Sequence, residues 1–169
     1  MKNKLFKSSI TIFILAILSF LSFTLSKKIT VDGVWTIVEV QTIKSDGSSS
    51  KVFPIESHAF FMNKNYSFCW TTQVSKSRNW AMTDSLKLAR FNQSIVNSGT
   101  YELKDSILTT KAKFAMNPMF TNGIATFKCS MKGDTLILKG MGVISSDNIQ
   151  HPVYKNGAYF VTKLIKIKE

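Results

Sequence analysis

Residues 99–138 read GTYELKDSILTTKAKFAMNPMFTNGIATFKCSMKGDTLIL, and this stretch constrains the fold more than any other. It holds two strand–turn–strand phrases in tandem, Tyr101–Thr110 and Phe127–Leu138. The turns are Lys104-Asp105-Ser106 and Lys132-Gly133-Asp134. Gly, Asp and Ser tolerate or cap the backbone angles of tight hairpin turns. In the second phrase Phe127, Cys129 and Met131 alternate with Lys128, Ser130 and Lys132. Period-two alternation turns the first set inward and the second toward water. Two tandem hairpins imply an antiparallel, up-and-down sheet.

The rest of the chain extends that sheet. Gly33-Val34-Trp35 opens a strand that runs to about Ile43, and Ser45–Ser50 forms a loop. Strands are expected over His58–Met62, Tyr66–Thr72 and Ala158–Ile167, each bounded by turn residues. Between Leu86 and Val96, the spacing of Leu88, Phe91 and Ile95 matches one face of a short helix. Thr83 or Asp84 can cap its start, and Gly99 suits the turn after its end. The expectation is an all-β chain of about eight strands, with one short helix inserted before the second half. Closing such a sheet into an eight-stranded barrel removes its edges. The interior then holds packed side chains or one small ligand.

The first 26 residues read as a secretory signal. Lys2, Lys4 and Lys7 precede the apolar run Ile10–Phe23, and Thr24-Leu25-Ser26 places small residues at a cleavage site. This predicts export through the Sec pathway to the periplasm or beyond. Inner-membrane anchoring by an uncleaved segment is the alternative, although the sixteen residues from Ile10 to Leu25 fall short of the roughly 20 that span a bilayer. Residues 27–169 make one domain.

The net charge is +12, and the bases are scattered, with small knots at Lys27-Lys28, Lys76/Arg78 and Lys163/Lys166/Lys168. Export and the lack of a recognised motif argue against nucleic acid. Cys69 and Cys129 enter an oxidising compartment on this reading, so they either pair or stay separate buried thiols.

In order along the chain stand Gly33-Val34-Trp35, the helix near Leu86–Val96, Gly99-Thr100-Tyr101-Glu102, Asp105-Ser106-Ile107-Leu108, Ala115-Met116-Asn117-Pro118 and Gly133-Asp134-Thr135-Leu136. This set, over residues 31–167, resembles the bacterial lipocalin-like domain proteins, whose Gly-x-Trp mark heads the first strand. The resemblance implies a lipocalin-like barrel. It also implies a basic residue, often Arg, packed over the first-strand tryptophan. No arginine follows Arg90, which leaves Lys163 for that place.

No catalytic constellation is legible. His58 and His151 sit in no ligand-spaced cluster, and no nucleophile elbow, metal set or cofactor motif appears. The aromatic residues are the better lead. Inward parity favours Trp35, Trp70, Tyr101 and Phe127 as cavity lining, with Phe61, Phe91 and Phe114 beside them. The helix and the loop around Trp80 are candidate lids. Asn117, between the hairpins, is placed to bond a ligand or its own loop. The expected function is binding of a small hydrophobic or amphipathic molecule without chemistry. The alternative is a packed barrel serving as an envelope structural or protein-interaction module.

Overall fold

The computed structural model describes residues 29–74 and 80–167. The expected signal segment 1–26, the pair Lys76/Arg78 and Lys168 lie outside them. Strand β1 (Gly33–Ile43) is followed by β2 (Ser49–Val52), β3 (Glu56–Met62) and β4 (Asn65–Thr71). Helix α1 (Asp84–Asn92) then leads into β5 (Ser94–Lys104) and β6 (Ile107–Ala115). A 3-10 turn (Pro118–Phe120) precedes β7 (Ile124–Lys132) and β8 (Thr135–Ile144). The short helix α2 (Pro152–Lys155) and β9 (Tyr159–Lys166) complete the chain. Among the described residues no helix is long and apolar enough to cross a membrane.

Neighbouring strands pair antiparallel throughout, and β1 pairs with β9 to close the sheet. The result is an eight-stave, up-and-down barrel. β2 and β3 form a single broken stave, because both pair with the same edge of β1, at Val40–Ile43 and Gly33–Trp35. Across the break, Ser57 Oγ accepts the Ile37 N–H at 3.0 Å and donates to the Ile37 carbonyl at 2.8 Å. A side chain thus satisfies backbone groups that lost their ladder partner.

Three bulges bend the barrel. The extra residues are Val38 in β1, Lys113 in β6 and Met141 in β8. Each reverses which parity faces inward. In β1 Trp35 and Ile37 point in, then Val40, while Glu39 stays outside. Glu39 Oε1 lies 2.9 Å from Lys163 Nζ, and Oε2 lies 3.4 Å from Lys51 Nζ. The Lys163 hydrogen bond holds the carboxyl below its ordinary range, and this pairing ties β9, β1 and β2 at the closing seam. At the second bulge Gly99 faces β6 so closely that a Cβ would come within 2.0 Å of the Lys111 carbonyl oxygen. Glycine is required there by backbone approach.

One end of the barrel is solid. Trp35, Ile37, Leu136, Leu164 and Cys129 fill it. Val31 underlies them, and its carbonyl accepts the Trp35 indole N–H at 2.8 Å. Tyr101 sets its ring edge against Phe61 and donates its hydroxyl to Asp32. Burial, aided by that carboxylate, pushes the phenol up to about 12. Lys166 is the register partner of Trp35, and its Nζ lies 5.7 Å from the indole centroid. The base over the first-strand tryptophan is therefore Lys166. Lys163, expected there, points to the outer face and pairs with Glu39.

The expected helix boundary is corrected, and of the two alternatives for the cysteines the structure has them separate. The helix ends at Asn92, where Gln93 N–H turns back to the Arg90 and Phe91 carbonyls. Ile95 and Val96, expected in the helix, pair with Trp70 and Cys69 instead. β-Branched residues favour that pleated surface. Gly99 accordingly lies within β5 and not in a post-helix turn. Cys69 and Cys129 are both free thiols. Cys129 packs in the barrel core, whereas Cys69 alternates with the inward residues Phe68 and Trp70 and faces out. The sheet wall separates them. Burial pushes the Cys129 thiol up to about 11. At about pH 8 a thiol reagent is expected to label one cysteine in the folded protein and two after denaturation. A disulfide-linked peptide by mass spectrometry would contradict this.

Candidate functional site

The half of the barrel opposite Trp35 is hollow. A chamber of about 200 Å³ runs down its axis, floored by Phe61, Tyr66, Leu108 and Leu138. Its walls come from inward positions of the staves, among them Phe68 and Trp70 of β4, Ile95 and Asn97 of β5, and Ala125 and Phe127 of β7. Their inward direction follows from strict alternation, since β4, β5 and β7 carry no extra residue. Ala112 and Ala125 leave room where larger side chains would meet across the axis.

Phe120, His151, Tyr154 and Phe160 gather at the upper end. Their ring centroids lie 5.8–6.0 Å apart in four pairs, three of them edge-to-face. These distances suit aromatic pairing. The Tyr154 hydroxyl sits over Gly140, where a Cβ would come within 2.0 Å of it, and its oxygen is hydrogen-bonded to the Phe160 backbone. Outside this cluster lies a second cleft of about 360 Å³, bounded by Asn117, Met119, Ile149 and Pro152. Phe120, Val143 and His151 line both spaces.

His151 caps α2. Its Nδ1 accepts the Val153 N–H at 3.3 Å, which places the proton of the neutral ring on Nε2. Burial pushes the imidazole below its ordinary 6.5. The unfolded chain therefore takes up this proton at a higher pH than the folded one. Stability from this group is present above about 6.5 and falls as pH drops toward the lower folded value. An NMR titration is expected to place the His151 midpoint below 6.5. A midpoint above it would contradict the capped, buried geometry.

Among the residues proposed from sequence, Phe61, Trp70 and Phe127 line the chamber. Asn117 borders the outer cleft, and its Oδ1 accepts the Met119 N–H at 3.1 Å, serving its own loop. The others lie elsewhere. Trp35 is buried in the solid end, and Tyr101 packs beside it. Phe114 would point inward by alternation from Leu108, but the Lys113 bulge turns it out, leaving it 59% exposed. Phe91 is exposed, Trp80 is fully exposed, and α1 has no buried residue. Among the described residues, neither the helix nor Trp80 lines the chamber. Arg90 holds α1 beside β3, with Nη2 2.7 Å from Glu56 Oε2.

The residues missed were Phe68, Asn97, His151, Tyr154 and Phe160. Alternation outward from Trp70 reaches Phe68, and alternation from Tyr101 reaches Asn97. The upper aromatic cluster brings Phe120 of the 3-10 turn onto His151, Tyr154 and Phe160, and no local pattern announces that contact.

No family model matches the chain, and neither a curated protein nor a solved structure shows significant similarity to it. The site is therefore read from its geometry.

Proposed function

We propose that this chain is an exported, non-catalytic, lipocalin-like barrel that binds a small hydrophobic or amphipathic molecule in its interior. The chamber of about 200 Å³ with its aromatic and aliphatic lining carries this reading. Binding sites are concave and mostly apolar, with a few placed polar groups. The chamber is smaller than the roughly 300 Å³ lower bound of sites for drug-sized ligands. A dry cavity of about 150 Å³ accommodates benzene, so the fitting ligand is of one-ring size, with any extension lying in the outer cleft. Apolar contact supplies roughly 25 cal/mol per Å² withdrawn from water. Gly33-Val34-Trp35 at the base of the barrel, with Lys166 over the indole, supports the lipocalin-like assignment. Export rests on the N-terminal segment of the sequence. Nucleic acid is not a partner on this reading.

The exposed apolar residues Phe53, Trp80, Leu88 and Phe91 favour a second reading, a protein-interaction module. Native mass spectrometry of protein purified from its own host separates the two. The binding reading expects a bound small molecule released on denaturation. Repeated recovery of ligand-free protein that also fails to take up one-ring apolar probes contradicts it.

A further inference from the structure

The chamber and the outer cleft share an electrostatic character. No Lys, Arg, Asp or Glu among the described residues lines either one. An ionised ligand would lose its hydration there without a counter-charge, at prohibitive cost. Long-chain carboxylates and phosphates are thereby disfavoured, and an uncharged ligand is selected.

Several polar groups of the chamber are already committed. Thr110 Oγ1 donates to the Ala125 carbonyl at 3.4 Å, and the Tyr154 oxygen is engaged by the Phe160 backbone. His151 differs. Its Nδ1 is fixed by Val153, while Nε2–H, on the opposite edge of the ring, makes no hydrogen bond to a described residue. The ring is held in place by Phe120, Tyr154 and Phe160. It also borders both spaces. A ligand with its ring in the chamber and its polar end toward the cleft must pass this donor. Asn97 also offers an amide to the chamber, but only from the β5 wall.

The geometry points to a compact, uncharged ring compound bearing a hydrogen-bond acceptor, such as an aryl carbonyl, oriented by the His151 Nε2–H at the junction of chamber and cleft. This inference rests on the interior-binding reading above and adds to it the ligand's charge, size and polar group.

Acetophenone and ethylbenzene are suitable probes, because they match in shape and differ in the carbonyl acceptor. Their dissociation constants are to be measured by NMR titration on the wild type, His151→Asn and His151→Gln. Asparagine retains an oxygen able to cap α2 but is too short to reach the ligand, whereas glutamine retains an N–H near the Nε2 position. The ratio of the two constants removes the different hydration of the probes. His151→Asn is expected to shift that ratio against acetophenone by about tenfold, the effect of one hydrogen bond. His151→Gln is expected to recover part of the shift. Should the asparagine variant fail to fold, His151→Ser also caps the helix without the donor and takes its place. An unchanged ratio, with ethylbenzene still bound, overturns the role of His151 and leaves interior binding standing. Failure of the wild type to bind ethylbenzene overturns interior binding, and this inference with it.

Discussion

Trp35→Ala is expected to lower the stability of the barrel by roughly 3–5 kcal/mol, measured by urea denaturation followed by circular dichroism. The side chain is 1% exposed, at the centre of the solid end. Its removal leaves a cavity among Ile37, Leu136 and Leu164, and strips the Val31 carbonyl of its indole donor. Both losses act in the same direction. Domains are stable by only about 5–15 kcal/mol in total, so the variant sits near the folding threshold. Trp80→Ala is the matched control. Trp80 is fully exposed, and its loss is expected to fall within about 0.5 kcal/mol of wild type. Equal effects for the two tryptophans would contradict the burial of Trp35 in the barrel core.

The second large effect concerns binding. Ala125 lines the chamber from β7, opposite Thr110 and Val143 in register. Ala125→Phe directs a ring into the space reserved for the ligand. Displacing about 110 Å² of apolar ligand contact, at roughly 25 cal/mol per Å², weakens binding by about a hundredfold. The added ring occupies space that is otherwise empty, so strain stays at or below the roughly 1–3 kcal/mol seen on overpacking filled cores. The protein is expected to remain folded while a one-ring probe such as ethylbenzene no longer binds. Phe114→Ala and Phe91→Ala, whose side chains lie outside the barrel, are expected to bind it as wild type does. Undiminished binding to folded Ala125→Phe would place the probe elsewhere.

Much of the barrel was legible because alternation and turn chemistry are local. Phe127, Cys129 and Met131 were assigned inward from period two alone, and β7 carries no bulge to spoil the count. Phe114, named as cavity lining without that count, faces out because Lys113 adds a residue to β6 that no local signal marks. Alternation also gives a face without giving a height along the barrel axis. Trp35 and Trp70 both point inward, yet one fills the solid end and the other lines the chamber. The helix end was misplaced because Ile95 continued an apolar spacing of four. Pairing with Trp70 on β4 outweighed that spacing. His151 is not legible as a site residue because Phe120, its partner from the 3-10 turn, lies far off in sequence, and spacing alone does not bring Tyr154 and Phe160 onto its ring. The lysine over Trp35 follows from register, since antiparallel pairing puts Lys166 opposite it.

The most direct test of interior binding is a methyl-detected NMR titration of the wild-type protein with ethylbenzene. Interior binding predicts saturable shifts at Ala112, Ala125, Leu108 and Leu138, which line the chamber. Shifts confined to Leu86 and Leu88 on the exposed helix, with the chamber methyls unmoved, would contradict it.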